Sequence, residues 1–121
     1  MAIASCHFLL AKHSVGKSQT NLGLFAMLKI NQYFDGKVAS IGINTSNLPA
    51  TVGVMDIGQY EFDTSQHEVM TVINGHLSVL LPSSDEYQDF FDGDQFEVAA
   101  NSSFKLKVPV QTAYFCTYED K

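Results

Sequence analysis

Arginine is missing from this sequence of 121 residues, and all seven basic residues are lysine. Any anion the protein holds must therefore meet lysine, hydroxyls or backbone N–H groups, without the bidentate guanidinium fork. Acidic residues are missing from positions 1–26, and all thirteen fall after them. The formal net charge of −6 argues against a nucleic-acid backbone as partner, because such a partner asks for a basic face. No apolar run approaches the roughly 20 residues of a membrane-spanning helix. Two cysteines, Cys6 and Cys116, are too few for a disulfide framework. Both are read as reduced thiols of a cytoplasmic protein, Cys116 as a small apolar core residue. A helical stripe at i, i+3, i+4, i+7 is absent as well.

Residues 1–26 differ from the remainder of the chain. Their apolar pieces, Phe8-Leu9-Leu10 and Leu22 to Ala26, hold neither a strand nor a helix period for long. A secretory signal would carry positive charge ahead of its apolar core, yet Met1 to Leu10 has no lysine. The segment is expected to be an extension outside the natural domain, which would begin at Met27 and run to residue 121. Gly16-Lys17-Ser18 superficially suggests a phosphate loop. That motif needs a glycine five residues earlier, after a buried strand, and position 11 is Ala11. A flexible polar stretch is expected there, with His7 and His13 as solvated side chains.

From Met27 on, strand succeeds strand. Tyr60 and Phe62 alternate with Gln59, Glu61 and Asp63, the period of a half-buried strand. Val69 to Ile73 is a β-rich run, and Asn74-Gly75 is a hairpin signal, predicting that Leu77 to Leu81 returns as its partner. Val38 to Ile43, Thr51 to Asp56, Gln95 to Val98, Phe104 to Val108 and Thr112 to Tyr118 also read as strands. Turn signals separate them at Asp35-Gly36, Asn44 to Pro49, Pro82 to Gln88, Asp92-Gly93 and Asn101-Ser102. Short strands with turns every eight to twelve residues predict an all-β barrel or sandwich of one small domain.

The chemistry-bearing residues are few. Glu68, if it faces inward, is a carboxylate at the mouth of an apolar cavity, where burial would raise its pKa. Tyr60, Phe62, Phe104, Tyr114 and Tyr118 offer flat surfaces, for core packing or for a planar ligand. The acidic residues Asp85, Glu86, Asp89, Asp92 and Asp94 do not match a calcium loop and read as a solvated turn. Glu68, six residues and Gly75 resemble the end of the first motif of cupin barrels. A metal-holding cupin uses His ligands on facing strands, but Thr64-Ser65-Gln66 stands where His-x-His belongs. In the second motif Gly93 leads to Ala99-Ala100-Asn101, and the His position falls on Phe104. His67 and His76 lie beside turns and are expected to be exposed. No metal or other cofactor is expected.

From Met27 onward the chain resembles the small pyrimidine/purine nucleoside phosphorylases of bacteria. Asn31 to Gly42, Val52-Gly-Val-Met55, Gly58-Gln-Tyr-Glu-Phe62 and Glu68 to Gly75 carry the resemblance. Leu77 to Pro82, Gly93 to Val98, Phe104 to Val108 and Tyr114-Phe-Cys116 continue it. Ala99 replaces a proline usual in the family, and the absent arginine is a second departure. The resemblance implies a cupin-like β-barrel of jelly-roll type and reversible phosphorolysis of purine and pyrimidine nucleosides, a pentosyl transfer giving free base and ribose 1-phosphate. Glu68 would be the catalytic carboxylate, meeting the ribose hydroxyls and the cationic sugar. Thr64, Ser65, Gln66 and Thr71 would offer hydroxyls and an amide to phosphate or base. Phe104 and Tyr114 would form the stacking wall. A non-catalytic ligand-binding barrel is the alternative, and a homodimer pairing through sheet edges is expected.

Overall fold

The computed structural model describes the backbone of residues 3–6 and the whole of residues 28–121. Gly16-Lys17-Ser18, His7, His13 and the Cys6 side chain lie outside the described residues. All regular structure described is strand: β1 (Ile3–Cys6), β2 (Lys29–Tyr33), β3 (Val38–Asn44), β4 (Pro49–Met55), β5 (Gly58–Thr64), β6 (His67–Asn74), β7 (His76–Leu80), β8 (Gln88–Phe91), β9 (Gln95–Val98), β10 (Ser103–Val108) and β11 (Thr112–Glu119).

Two sheets form, the first in the order β1-β5-β10-β7-β8 and the second in the order β2-β3-β4-β11-β6-β9. Every pairing is antiparallel except β1 on β5, which is parallel. Four antiparallel pairs are nested about the loop after β7: β7 with β8, β6 with β9, β5 with β10 and β4 with β11. A long hairpin rolled up in this way is a jelly roll. The two sheets pack face to face and are not closed into one hydrogen-bonded barrel.

This topology corrects one expectation. Asn74-Gly75 does not close a hairpin, because β6 belongs to the second sheet and β7 to the first. A type I′ turn needs positive φ at both central residues, and Asn74 is not among the residues with positive φ. Gly75, at φ 131°, is instead a corner where the chain crosses between sheets. Its amide donates to Asp92 Oδ1 at 2.6 Å, and an added Cβ would collide with Thr112. Asp92-Gly93 likewise carries the chain from β8 in one sheet to β9 in the other. The turn at Asp35-Gly36 does join paired strands, β2 and β3.

Period two decides what lies between the sheets. From the first sheet come Tyr60, Phe62, Leu77, Val79, Phe104, Leu106 and Val108, all buried. Phe62 and Phe104 are register partners, stacked with centroids 5.8 Å apart. The facing side of the second sheet is mixed: Val38, Met55, Met70 and Val72 are apolar, yet Asn31, Ser40, Thr51, Glu68 and Thr112 are buried beside them. Buried polar groups are costly unless partnered, so their gathering on one inner face singles it out.

Candidate active site

Glu68 is the second residue of β6, and alternation turns it inward with Met70 and Val72. It is completely buried. Tyr118 stands directly opposite on β11, also buried. The Tyr118 hydroxyl lies 2.9 Å from Thr51 Oγ1, which projects from β4. Cys116 is the register partner of Thr51, and its thiol donates to Glu68 Oε1 at 3.6 Å. Farther across the same sheet Asn31 Nδ2 donates to Ser40 Oγ at 3.4 Å. Tyr114 shares this face, its ring against the bare Cα of Gly53, the residue opposite it on β4.

Electrostatics ties the thiol to the carboxylate. Burial pushes the Cys116 thiol well above its ordinary range, and the neighbouring Glu68 charge pushes it the same way. A thiol held protonated in this manner is a hydrogen-bond donor, not a nucleophile. The inner face thus presents one carboxylate, the hydroxyls of Ser40, Thr51, Tyr114 and Tyr118, and the Asn31 amide. Such a set suits a neutral polyhydroxylated ligand, with the carboxylate available to any positive charge that develops on it.

The sequence-predicted residues divide by position. Glu68 and Tyr114 share the inner face of the second sheet. Phe104 faces them from the first sheet, packed between Phe62 and Phe96. Thr64 is buried at the end of β5, but its hydroxyl clamps a turn, donating to Ala99 O at 2.7 Å and accepting from Ser102 N at 3.1 Å. Gln66 sits in the β5–β6 turn and donates to Asp120 Oδ1 at 3.1 Å. Thr71 alternates to the outer face of β6, where its hydroxyl accepts from Gln95 Nε2 at 3.0 Å. Asn31, Ser40 and Thr51 were not among the predicted residues. Ser40 and Thr51 had a signal in their spacing, each a small polar residue at an inward position of a largely apolar strand, whereas Asn31 lies among Lys29 and Gln32 and had none.

His67 and His76 are half-buried and each meets a carboxylate, Glu97 and Asp89 respectively, at 2.9 Å. Among the described residues no group of three His, Cys, Asp or Glu side chains is placed to hold a metal ion. A surface groove of about 420 Å³ runs over the outer face of the first sheet past Gln59, His76, Ser78, Asp89 and Lys107. Asp89 is already engaged there by His76 and Ser78, which hold its carboxyl below the usual range.

Comparison with known proteins gives the family and the fold. Residues 28–118 match the family model described as pyrimidine/purine nucleoside phosphorylase. A pyrimidine/purine nucleoside phosphorylase of Hahella chejuensis is 61% identical over 92 residues, covering 76% of this chain and 99% of the relative. A crystal structure of a protein of unknown function from Vibrio parahaemolyticus is 42% identical and superposes with a TM-score of 0.74, over 77% of this chain and 99% of that one. An RmlC-like cupin from Shewanella frigidimarina, 16% identical, superposes at 0.63 over 93% of this chain and 94% of its own, so the fold is cupin-like. The chain belongs to the pyrimidine/purine nucleoside phosphorylase family.

Proposed function

We propose that the protein catalyses reversible phosphorolysis of purine and pyrimidine nucleosides, a pentosyl transfer carried out at the inner face of the second sheet. The observation that carries this is Glu68, an acid wholly buried between the sheets on a face it shares with the paired Thr51 and Tyr118 hydroxyls, in a chain of this family. As the C1′–N bond breaks, its electron pair leaves on the base and positive charge develops on the ribose. A phosphate oxygen then forms the new bond to C1′, and the proton that the phosphate carried ends on the nitrogen of the departing base. Glu68 stabilises the sugar cation and accepts from the ribose hydroxyls. A carboxylate in low dielectric does this more strongly than one in water.

Tyr114 supplies a face for the base, with Phe104 on the opposing sheet. Stacking tolerates both purines and pyrimidines, because every base has a π face. With no arginine in the chain, phosphate is held by hydroxyls, those of Thr51 and Tyr118 foremost. Thr64 shapes the interior end of β5, and Gln66 lies at the rim. Thr71, on the other side of the sheet, is left out of this assignment. The enzyme works without a cofactor, in the cytoplasm, as a homodimer.

The test is to incubate the full chain with uridine, adenosine and inosine, with and without phosphate and with and without EDTA. Base release that requires phosphate, yields ribose 1-phosphate and ignores the chelator is the expected result. Release without phosphate would make the protein a hydrolase. No release with any nucleoside would leave a binding barrel.

A further inference from the structure

An edge strand offers a row of unpaired backbone groups to any extended chain, and proteins commonly keep such strands short. Among the described strands, β8 and β9 end their sheets with four residues each and β2 with five. The fourth edge would be β5, seven residues long and paired with β10 in unbroken register over six of them. β1 covers it instead, running parallel along Glu61 to Thr64.

Alternation along β5 shows which backbone groups β1 meets. The Thr64 N–H donates to Ser102 O at 2.8 Å, on the β10 side. Phe62, two residues earlier, points the same way, so the N–H and C=O groups of Glu61 and Asp63 point away from β10 and toward β1. Ala4 is the register partner of Phe62. In a parallel ladder its N–H therefore meets the Glu61 C=O, and its C=O meets the Asp63 N–H. Ser5, the partner of Asp63, turns its own N–H away from β5.

Charge selects what this edge accepts. Opposite Glu61 and Asp63 stand Ile3 and Ser5, and an acid at either position would oppose a like charge. All thirteen acids of the chain fall after residue 26, so the edge has taken its strand from the one long stretch that has none. We infer that the β5 edge is a docking site for an extended, acid-free peptide bound in parallel through its backbone, with residues 3–6 as its tethered resident. Strand addition takes its affinity from main-chain hydrogen bonds and its specificity from alternate side chains. A tether gives the resident an effective concentration on the order of millimolar, which keeps a free peptide of the same sequence out. The edge is thus held shut by its own chain. This docking is independent of the proposed reaction and is read by amide exchange.

Hydrogen exchange of the full chain, followed residue by residue by NMR, tests it. In the wild type the Asp63 amide should be protected, as those of Phe62 and Thr64 are by β10. Ala4→Pro removes the N–H that meets Glu61 and should speed Asp63 exchange about tenfold or more, leaving Phe62 and Thr64 unchanged. Ser5→Pro removes an N–H that faces away and should leave Asp63 protected. A synthetic peptide with the sequence of residues 1–8 and Cys6→Ser, at about 1 mM, should restore Asp63 protection in the Ala4→Pro chain. The same peptide with Ser5→Asp should not. An unprotected Asp63 in the wild type overturns the inference, and so does protection that survives Ala4→Pro. Failure of the first peptide to restore protection, or equal restoration by the acidic one, overturns it as well. If Ala4→Pro also opens Phe62 and Thr64, Ala4→Gly decides, since it keeps the donor and weakens the strand. Exchange then faster by several-fold at Asp63 alone supports the docking edge, and unchanged exchange overturns it.

Discussion

Glu68 and Tyr118 are register partners on β6 and β11, both buried and both turned to the space between the sheets. The pairing puts a carboxylate and a phenol side by side where apolar residues would pack more cheaply. Glu68→Gln keeps the shape and removes the charge. It should lower kcat for phosphorolysis by roughly 10²–10⁴-fold while the thermal midpoint stays at or above wild type. Steady-state kinetics beside a melting curve checks both. Full activity in Glu68→Gln would remove the carboxylate from the mechanism.

Tyr118→Phe deletes only the hydroxyl that meets Thr51 Oγ1 at 2.9 Å. With phosphate as the ligand of this pair, KM for phosphate should rise about tenfold, the equivalent of roughly 1.4 kcal/mol. KM for nucleoside should move much less. Equal effects on both substrates would place the hydroxyl pair in structure and not at the phosphate.

The strands were legible because alternation in Tyr60–Phe62 and Phe104–Leu106–Val108 is a direct readout of one buried face. Glu68 was legible as a candidate through its spacing to Gly75. Which strand pairs with which was not. Asn74-Gly75 has the composition of a hairpin, yet its neighbours go to different sheets, because rolling the chain into a jelly roll pairs β6 with β9 and β11 instead. That choice is made by contacts distant in sequence, such as Gly75 against Thr112. The same limit hid Asn31, Ser40 and Thr51. Each looks like an ordinary polar strand residue until the partners across β3, β4 and β11 show that all three face Glu68's side of the sheet.

Gly53 is a packing requirement that the sequence does not advertise. A Cβ at this position would lie 2.6 Å from Tyr114 Cζ and Oη and 2.7 Å from the Ala39 carbonyl oxygen. The ring has some freedom, but the carbonyl belongs to the β3–β4 ladder and cannot retreat. Gly53→Ala should therefore destabilise the fold by about 1–3 kcal/mol. Urea denaturation at constant m-value reads this directly. Tyr114→Ala added to Gly53→Ala should not restore stability, because the backbone clash persists.

Cys116 gives stability a pH dependence whose sign is fixed. Burial and the Glu68 charge raise its folded pKa well above the ordinary 9.0, so above pH 9 the unfolded chain releases a proton that the folded chain keeps. Unfolding then gains from each rise in pH, and the contribution present below pH 9 is lost as pH climbs toward the folded pKa. The slope approaches about 1.4 kcal/mol per pH unit for one such group. The useful window is pH 9 to 10. Beyond it Tyr60, whose phenol is also raised from 10.0 by burial and Asp56, adds a loss of the same sign. Cys116→Ala loses packing and so starts less stable, but it has no proton to release. Between pH 9 and 10 its stability should fall less steeply than that of the wild type. Cys6 and the lysines are common to both proteins and cancel in the difference. Parallel slopes in urea titrations would mean that the Cys116 thiol ionises as readily folded as unfolded, and would break the link between this residue and the Glu68 charge.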